Sequence, residues 1–197
     1  MSVKQYDRKL SLIIGDGASG LDFSAFRVTF SIRRGDYHTP NSADIRIYNV
    51  ADSTANRALH EFTRVVIQAG YEGNYGLIFD GTIKQARAGR ESATDSYIDI
   101  TAADGDEAYN FATITSSDVA GHTPQGSVSR FLLEMQKYGM RSAVMPTLPE
   151  NGSVRGRVSY GLVTDELRDF AEANNLTWSL QNGVLTFIAK NSWLPSG

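Results

Sequence analysis

The 197-residue chain has no cysteine, which excludes disulfide bridges and thiolate metal sites and leaves redox chemistry silent about the compartment. Histidine is nearly as scarce. His38, His60 and His122 lie far apart with no carboxylate or second histidine at ligand spacing, so a zinc site is not expected. Basic charge is short too: the formal net charge is -3, which argues against a general grip on nucleic acid, where a basic stripe would neutralise phosphates. No apolar run approaches a membrane span, and the start MSVKQYDRKLSLII lacks the apolar stretch and small-residue cleavage site of a secretory signal. A soluble protein made in the cytoplasm is the expectation. Without a leader, the sequons Asn151-Gly152-Ser153 and Asn175-Leu176-Thr177 carry little meaning.

What is present is alternation. KLSLIIG, FRVTFSIRR, SADIRIYNV, TRVVIQAGYEG, YGLIFDGTIKQAR and SYIDITAAD each alternate apolar and polar residues between Gly, Pro, Asn or Asp, which predicts strands. Ile45 and Ile47 share one face, Arg46 and Tyr48 the other, while the run Val65, Val66, Ile67 reads as buried on both faces. A barrel or a strongly curved antiparallel sheet follows. One helix interrupts it, over ADSTANRALHEF, with Ala51, Ala55, Ala58, Leu59 and Phe62 on one stripe and Asp52 or Ser53 as cap.

After Asp104 the texture changes. GDEAYNFATITSSDVAGHTPQG reads as loop, and SVSRFLLEMQKYG as a helix burying Val128, Phe131, Leu132, Met135 and Tyr138, with Gly139 at its left-handed C-terminal cap. RGRVSYG predicts a short strand, and TDELRDFAEANN a helix capped by Thr164, with Leu167, Phe170 and Ala171 inward. LTWSLQNGVLTFI then predicts a hairpin on an Asn182-Gly183 type I′ turn, pairing Leu180 with Leu185, Trp178 with Phe187 and Leu176 with Ala189. Its continuous apolar face needs a partner layer, which the two helices provide. The fold class is α+β, mostly antiparallel β: a split β-barrel plugged by a short helix over residues 1–105, then a smaller helix-helix-hairpin unit over 106–197.

Chemistry is sparse. Residues 15–20 read GDGASG, a literal G-x-G-x-x-G, but the dinucleotide fingerprint needs a helix next, and LDFSAFRVTFSIRR is strand-like. A glycine-rich turn is the reading, and Asp16 and Asp22 do not match a calcium loop. No G-x-S-x-G elbow occurs. Asp104, Asp106 and Glu107 could supply paired carboxylates for glycoside hydrolysis, but acids at a strand-to-loop junction are more often solvated or capping. The pairs Arg33-Arg34 and Arg155/Arg157 suffice for ion pairs across a subunit contact. Tyr37, Tyr71 and Tyr75 sit in loops, either as contact residues or as ordinary exposed tyrosines.

The succession FRVTFSIRRGDYHTPNSADIRIYNVADSTANRAL, TRVVIQAGYEGNYGLIFDGTIKQA and VSYGLVTDELRDFAEANNLTWSLQNGVLTFIA resembles the baseplate hub proteins of tailed bacteriophages. That family's first part is a split β-barrel related to the tail-tube subunit and to the spike proteins of type VI secretion systems. The resemblance implies no enzyme, no cofactor and no metal. It implies a homotrimeric ring in the virion baseplate, with tail-tube protein, spike or tail-tip protein and other baseplate proteins as partners, and DNA only in transit. An acidic balance suits a channel through which DNA slides. Under this reading the subunit or partner contacts are Arg33, Arg34, Tyr37, Tyr71, Tyr75 and Asp80. Such hubs usually continue into a second barrel, whereas this chain stops at NSWLPSG, so a shortened form is expected. The alternatives are a peptidoglycan-degrading tail enzyme using Asp104 to Glu107 and a carbohydrate-binding tail-tip module.

Overall fold

The period-2 segments of the first half become the strands of one sheet. The structure is a computed structural model and describes residues 7–16, 19–35, 39–148 and 152–192, with Leu59 by its backbone alone. In chain order the first half holds β1 (Arg8–Gly15), β2 (Gly20–Asp22), β3 (Val28–Arg33), β4 (Ser42–Tyr48), α1 (Asp52–His60), β5 (Arg64–Tyr71), β6 (Asn74–Arg90) and β7 (Ser96–Ala103). The second half holds α2 (Asp106–Phe111), β8 (Thr113–Asp118), α3 (Pro124–Gln136), β9 (Ser142–Val144), β10 (Arg157–Leu162), α4 (Val163–Ala173), β11 (Leu176–Gln181) and β12 (Val184–Ala189). The chain divides into two compact units, Met1–Arg34 with Asn41–Asp104, and Gly35–Pro40 with Gly105–Gly197.

The first unit is a seven-stranded antiparallel sheet in the order β2-β1-β5-β6-β7-β4-β3. Among the described residues its hydrogen bonding does not close, and β2 and β3 form the two ends. The 17-residue β6 carries the bend: its first half pairs with β5 and its second half with β7, with register shifts at Ile67/Gln68 and Ile83/Gln85. Each shift adds a residue to one strand and increases the local twist. Leu12, Ile14, Ile45, Ile47, Val65, Ile67, Phe79, Ile98 and Ile100 point into one core, to which α1 adds Ala55 and Ala58. Val66 is half-buried between the fully buried Val65 and Ile67, so this strand alternates and is not buried on both faces.

Helix starts differ from the sequence reading. The N-cap of α1 is Ala51, without a side-chain cap bond. Asp52 and Ser53 therefore lie inside the first turn, where Asp52 still complements the helix dipole. In the same way β10 runs directly into α4 with Leu162 as cap, so Thr164 is a buried helical residue. The stretch after Asp104 is also not a loop. Gly105, at φ +70, turns the chain into α2, and β8 follows. A six-residue helix and a strand spelled TITSSD carry too few apolar residues to show a period.

In the second unit the C-terminal hairpin has the register read from its turn, Leu180 with Leu185, Trp178 with Phe187 and Leu176 with Ala189. Asn182 and Gly183 take φ +52 and +73, as a type I′ turn requires. Trp178, Leu180, Leu185 and Phe187 share a core with Phe131, Met135, Leu167 and Phe170 of α3 and α4. Phe170 meets Phe131 and Phe187 edge to face, at ring separations of 5.9 and 5.6 Å. The hairpin's other face is not open: Ser179 and Thr186, directly opposite each other, are both buried. β9 joins β12 in parallel as an unanticipated third strand, while β8 and β10 pair as a separate ribbon.

Candidate interaction surfaces

The β5–β6 pair carries Tyr71, Tyr75 and Asp80 of the expected contact residues. Tyr71 and Asn74 pair across the β5–β6 turn, with Gly70 opposite Tyr75. Tyr71 is half-buried and Tyr75 exposed, with Leu77 exposed two residues on. Arg34 reaches the same strand, its Nη1 donating to the Ile78 carbonyl at 3.2 Å. Asp80 is 9% exposed and held by Arg64 through two bonds of 2.7 and 2.6 Å, which make it an internal anchor of the β5–β6 pair. The hydrogen bond to Asp80 raises the Arg64 pKa. Arg33 stands apart on β3, exposed, 3.8 Å from Asp44. Tyr37 lies outside the described residues.

A second polar surface covers the outward side of β4 and β7. Arg46 binds Asp99 at 2.6 and 2.9 Å and lies over the Tyr97 ring at 4.1 Å, while Arg27 lies over Tyr48 at 4.5 Å. The Asp99 bond raises the Arg46 pKa far above the working range. These planar cation stacks and bidentate pairs fix the side chains of a face that hydropathy alone leaves unspecified.

The residues weighed for chemistry do not form a constellation. Asp104 is buried, Asp106 accepts from Asn110 Nδ2 at 3.0 Å, and Glu107 is exposed, so the two acids after Gly105 occupy the first turn of α2. His60 is exposed at the end of α1, His122 Nδ1 lies 3.1 Å from the Val119 carbonyl in a turn, and His38 is outside the described residues. Asp16 and Asp22 hold their own turn: Asp16 accepts from Ser19 N and Asp22 from Ser24 N, each at 2.8 Å. The Ser24 hydroxyl also lowers the Asp22 pKa. A strand, β2, follows GDGASG, which removes the dinucleotide reading. Among the described residues no group of three or more acids and histidines could hold a metal ion, and no helix is long and apolar enough to cross a membrane.

Sequence reasoning missed two features of the second unit. One is a pair of shielded ion pairs, Asp118 with Arg130 and Glu166 with Arg157, the latter at 2.6 Å with Ser159 Oγ donating at 2.9 Å. The other is the β8–β10 ribbon, legible only as the alternation of Val158 and Tyr160 in RGRVSYG, read as one short strand.

No family model matches the chain, and no curated protein matches it. Solved structures do. The tail protein from Neisseria meningitidis MC58 superposes at a TM-score of 0.63 with 15% identity over 92% of this chain and 50% of its own. The 43 kDa tail protein of prophage MuSo2 from Shewanella oneidensis gives 0.63 with 11% identity over 92% and 53%. The chain has the fold of phage tail proteins. The same fold extends to a chain of the half-lidded Francisella PdpA–VgrG complex, with a TM-score of 0.52 and 7% identity over 94% of this chain and 32% of that one. The chain thus spans about half the length of the tail proteins it matches.

Proposed function

We propose that the chain is a structural subunit of a phage baseplate hub, a homotrimeric ring in the virion that joins the tail tube to the spike or tail tip and lets DNA pass. The observation that carries this reading is the tail-protein fold over 92% of the chain. The bent sheet, open at β2 and β3, supports it as one half of a split barrel, with α1 over the core as its plug. Open strand ends are templates for pairing with another chain, and a head-to-tail contact between copies closes into a ring. Arg33, Arg34, Tyr71 and Tyr75 are the contact residues of this reading, with Asp80 tying together β5 and β6, which present the two tyrosines. The acids from Asp104 to Glu107 act as structural and first-turn groups, so the protein works by shape and symmetry, without catalysis or cofactor.

Light scattering after size exclusion, across a concentration series, tests the ring. The expected mass is three times the 21.6 kDa of the protomer. A monomer at every concentration overturns the reading.

A further inference from the structure

The outward face of β3, β4, β7 and β6 is basic in an acidic chain. Alternation with the core isoleucines puts Arg33, Arg46 and Arg87 on it, Arg27 joins them over Tyr48, and the acids among them are Asp44 and Asp99. The whole chain, by contrast, carries a formal net charge of -3. Arg46 spends its Nε and Nη2 on the two oxygens of Asp99. Arg87 is exposed and stands directly opposite Asp99 on β6, but that carboxylate is taken, and Arg87 makes no ion pair among the described residues. A groove of about 440 Å³ runs along this face among Thr29, Ser31, Arg46, Arg87, Asp99 and Thr101.

The exposed side of α4 has the opposite sign. Asp165, Asp169 and Glu172 recur at helical spacing on one stripe, and the only base in the helix, Arg168, pairs with Asp165 at 2.8 Å. Asp169 and Glu172 make no ion pair among the described residues. Glu172 also lies in the last helical turn, where the dipole favours a cation and no basic residue is present. Both surfaces therefore hold charge that has no partner, and the two signs are complementary. The spans agree as well. Two strand spacings separate Arg87 on β6 from Arg46 on β4, about 10 Å, and Asp165 to Glu172 covers about 10 Å of helix. Nucleic acid fits the arginine face less well, since Asp44 and Asp99 interleave with the arginines and would repel a phosphate backbone.

We infer that the acidic stripe of α4 on one copy of this chain docks across the arginine face of β3, β4, β7 and β6 on the next, a head-to-tail contact of unlike surfaces such as closes a ring. The inference rests on the ring reading and names a contact that holds it. The test is the full chain with Arg87→Glu, with Asp169→Arg and Glu172→Arg together, and with all three changes. Circular dichroism checks each fold, and light scattering across a concentration series reads the assembly. Each reversal alone should raise the protein concentration needed for assembly about tenfold, because like charges then face each other, and the three together should recover most of that loss. Recovery is a readout that a damaged fold does not give. Where a reversal loses its fold, Arg87→Gln and Glu172→Gln take its place, each expected to weaken assembly and to remove part of its salt dependence. An assembled parent that both reversals leave unchanged, or weaken without recovery in the combination, overturns this contact and leaves the ring standing, the arginine face then belonging to another acidic partner or to nucleic acid. A parent that is monomeric at every concentration overturns the ring and this contact with it.

Discussion

The two units place their charged groups differently. In the first, Arg46 and Asp99 lie on the outward side of the sheet partly in water, and a shielded pair, Asp80 with Arg64, bridges the neighbouring strands β5 and β6. In the second, Asp118 and Glu166 sit beneath strands and helices, with side chains 4% and 14% exposed, and each must be met by an arginine. A sheet separates polar from apolar side chains by its pleat alone. Where short helices pack on a two-stranded ribbon the pleat covers less, and ion pairs fill what remains. The first unit therefore keeps its ion pairs within one continuous sheet, and the second uses them, with aromatic packing, to join strands to helices.

The largest effect is expected where the second unit is most densely packed. Phe170→Ala removes a ring that touches Phe131 and Phe187, at a cost of about 4 kcal/mol, read as an earlier urea transition in the fluorescence of the buried Trp178. Phe79→Ala in the first unit should cost a similar amount and leave the Trp178 environment in the native state unchanged. Next comes charge. Arg130→Met strands the buried Asp118 carboxylate and should lower stability by about 3 kcal/mol, whereas Arg46→Met, whose partner Asp99 reaches water, should cost much less. Equal losses in denaturant melts would erase the distinction between shielded and water-exposed pairs.

The same difference governs what the sequence could reveal. Strands β3 to β7 were legible because each carries its own period-2 signal, and the hairpin because Asn182-Gly183 admits a single register. The order of the seven strands was not, since pairing of β1 with β5 and of β4 with β7 depends on partners distant in the chain. β8 was invisible: Thr113, Thr115 and Ser117 alternate with a single large apolar residue, Ile114, and the strand is recognisable only beside β10. Of the contact surfaces, the tyrosines of the β5–β6 turn could be picked out by residue type. The arginine face could not, because Arg46 and Arg87 lie on β4 and β6 and only the strand order brings them to one side of the sheet.

Smaller effects sharpen the picture of the first unit. Ala51→Asp supplies the cap that α1 lacks and should add about 1 kcal/mol, seen as a later thermal transition. The mildest concerns the β6–β7 turn. Asp95 accepts from Ser92 Oγ at 2.9 Å and from Asn49 Nδ2 at 3.3 Å, and these bonds, the serine's first, lower its pKa below the ordinary 3.8. Asn49, at φ +55, closes the same turn by accepting from Ser96 N at 3.0 Å. A carboxylate whose pKa is depressed on folding adds stability that is fully present above its unfolded value and is lost as pH falls through the folded one. The turn should therefore hold at neutral pH and loosen only in acid below the ordinary aspartate range. A carbon-detected NMR titration of Asp95 should place its midpoint under 3.8, and Ser92→Ala should move that midpoint upward. A midpoint unmoved by Ser92→Ala would assign the shift to Asn49, and with it the closing of the turn to the strand before α1.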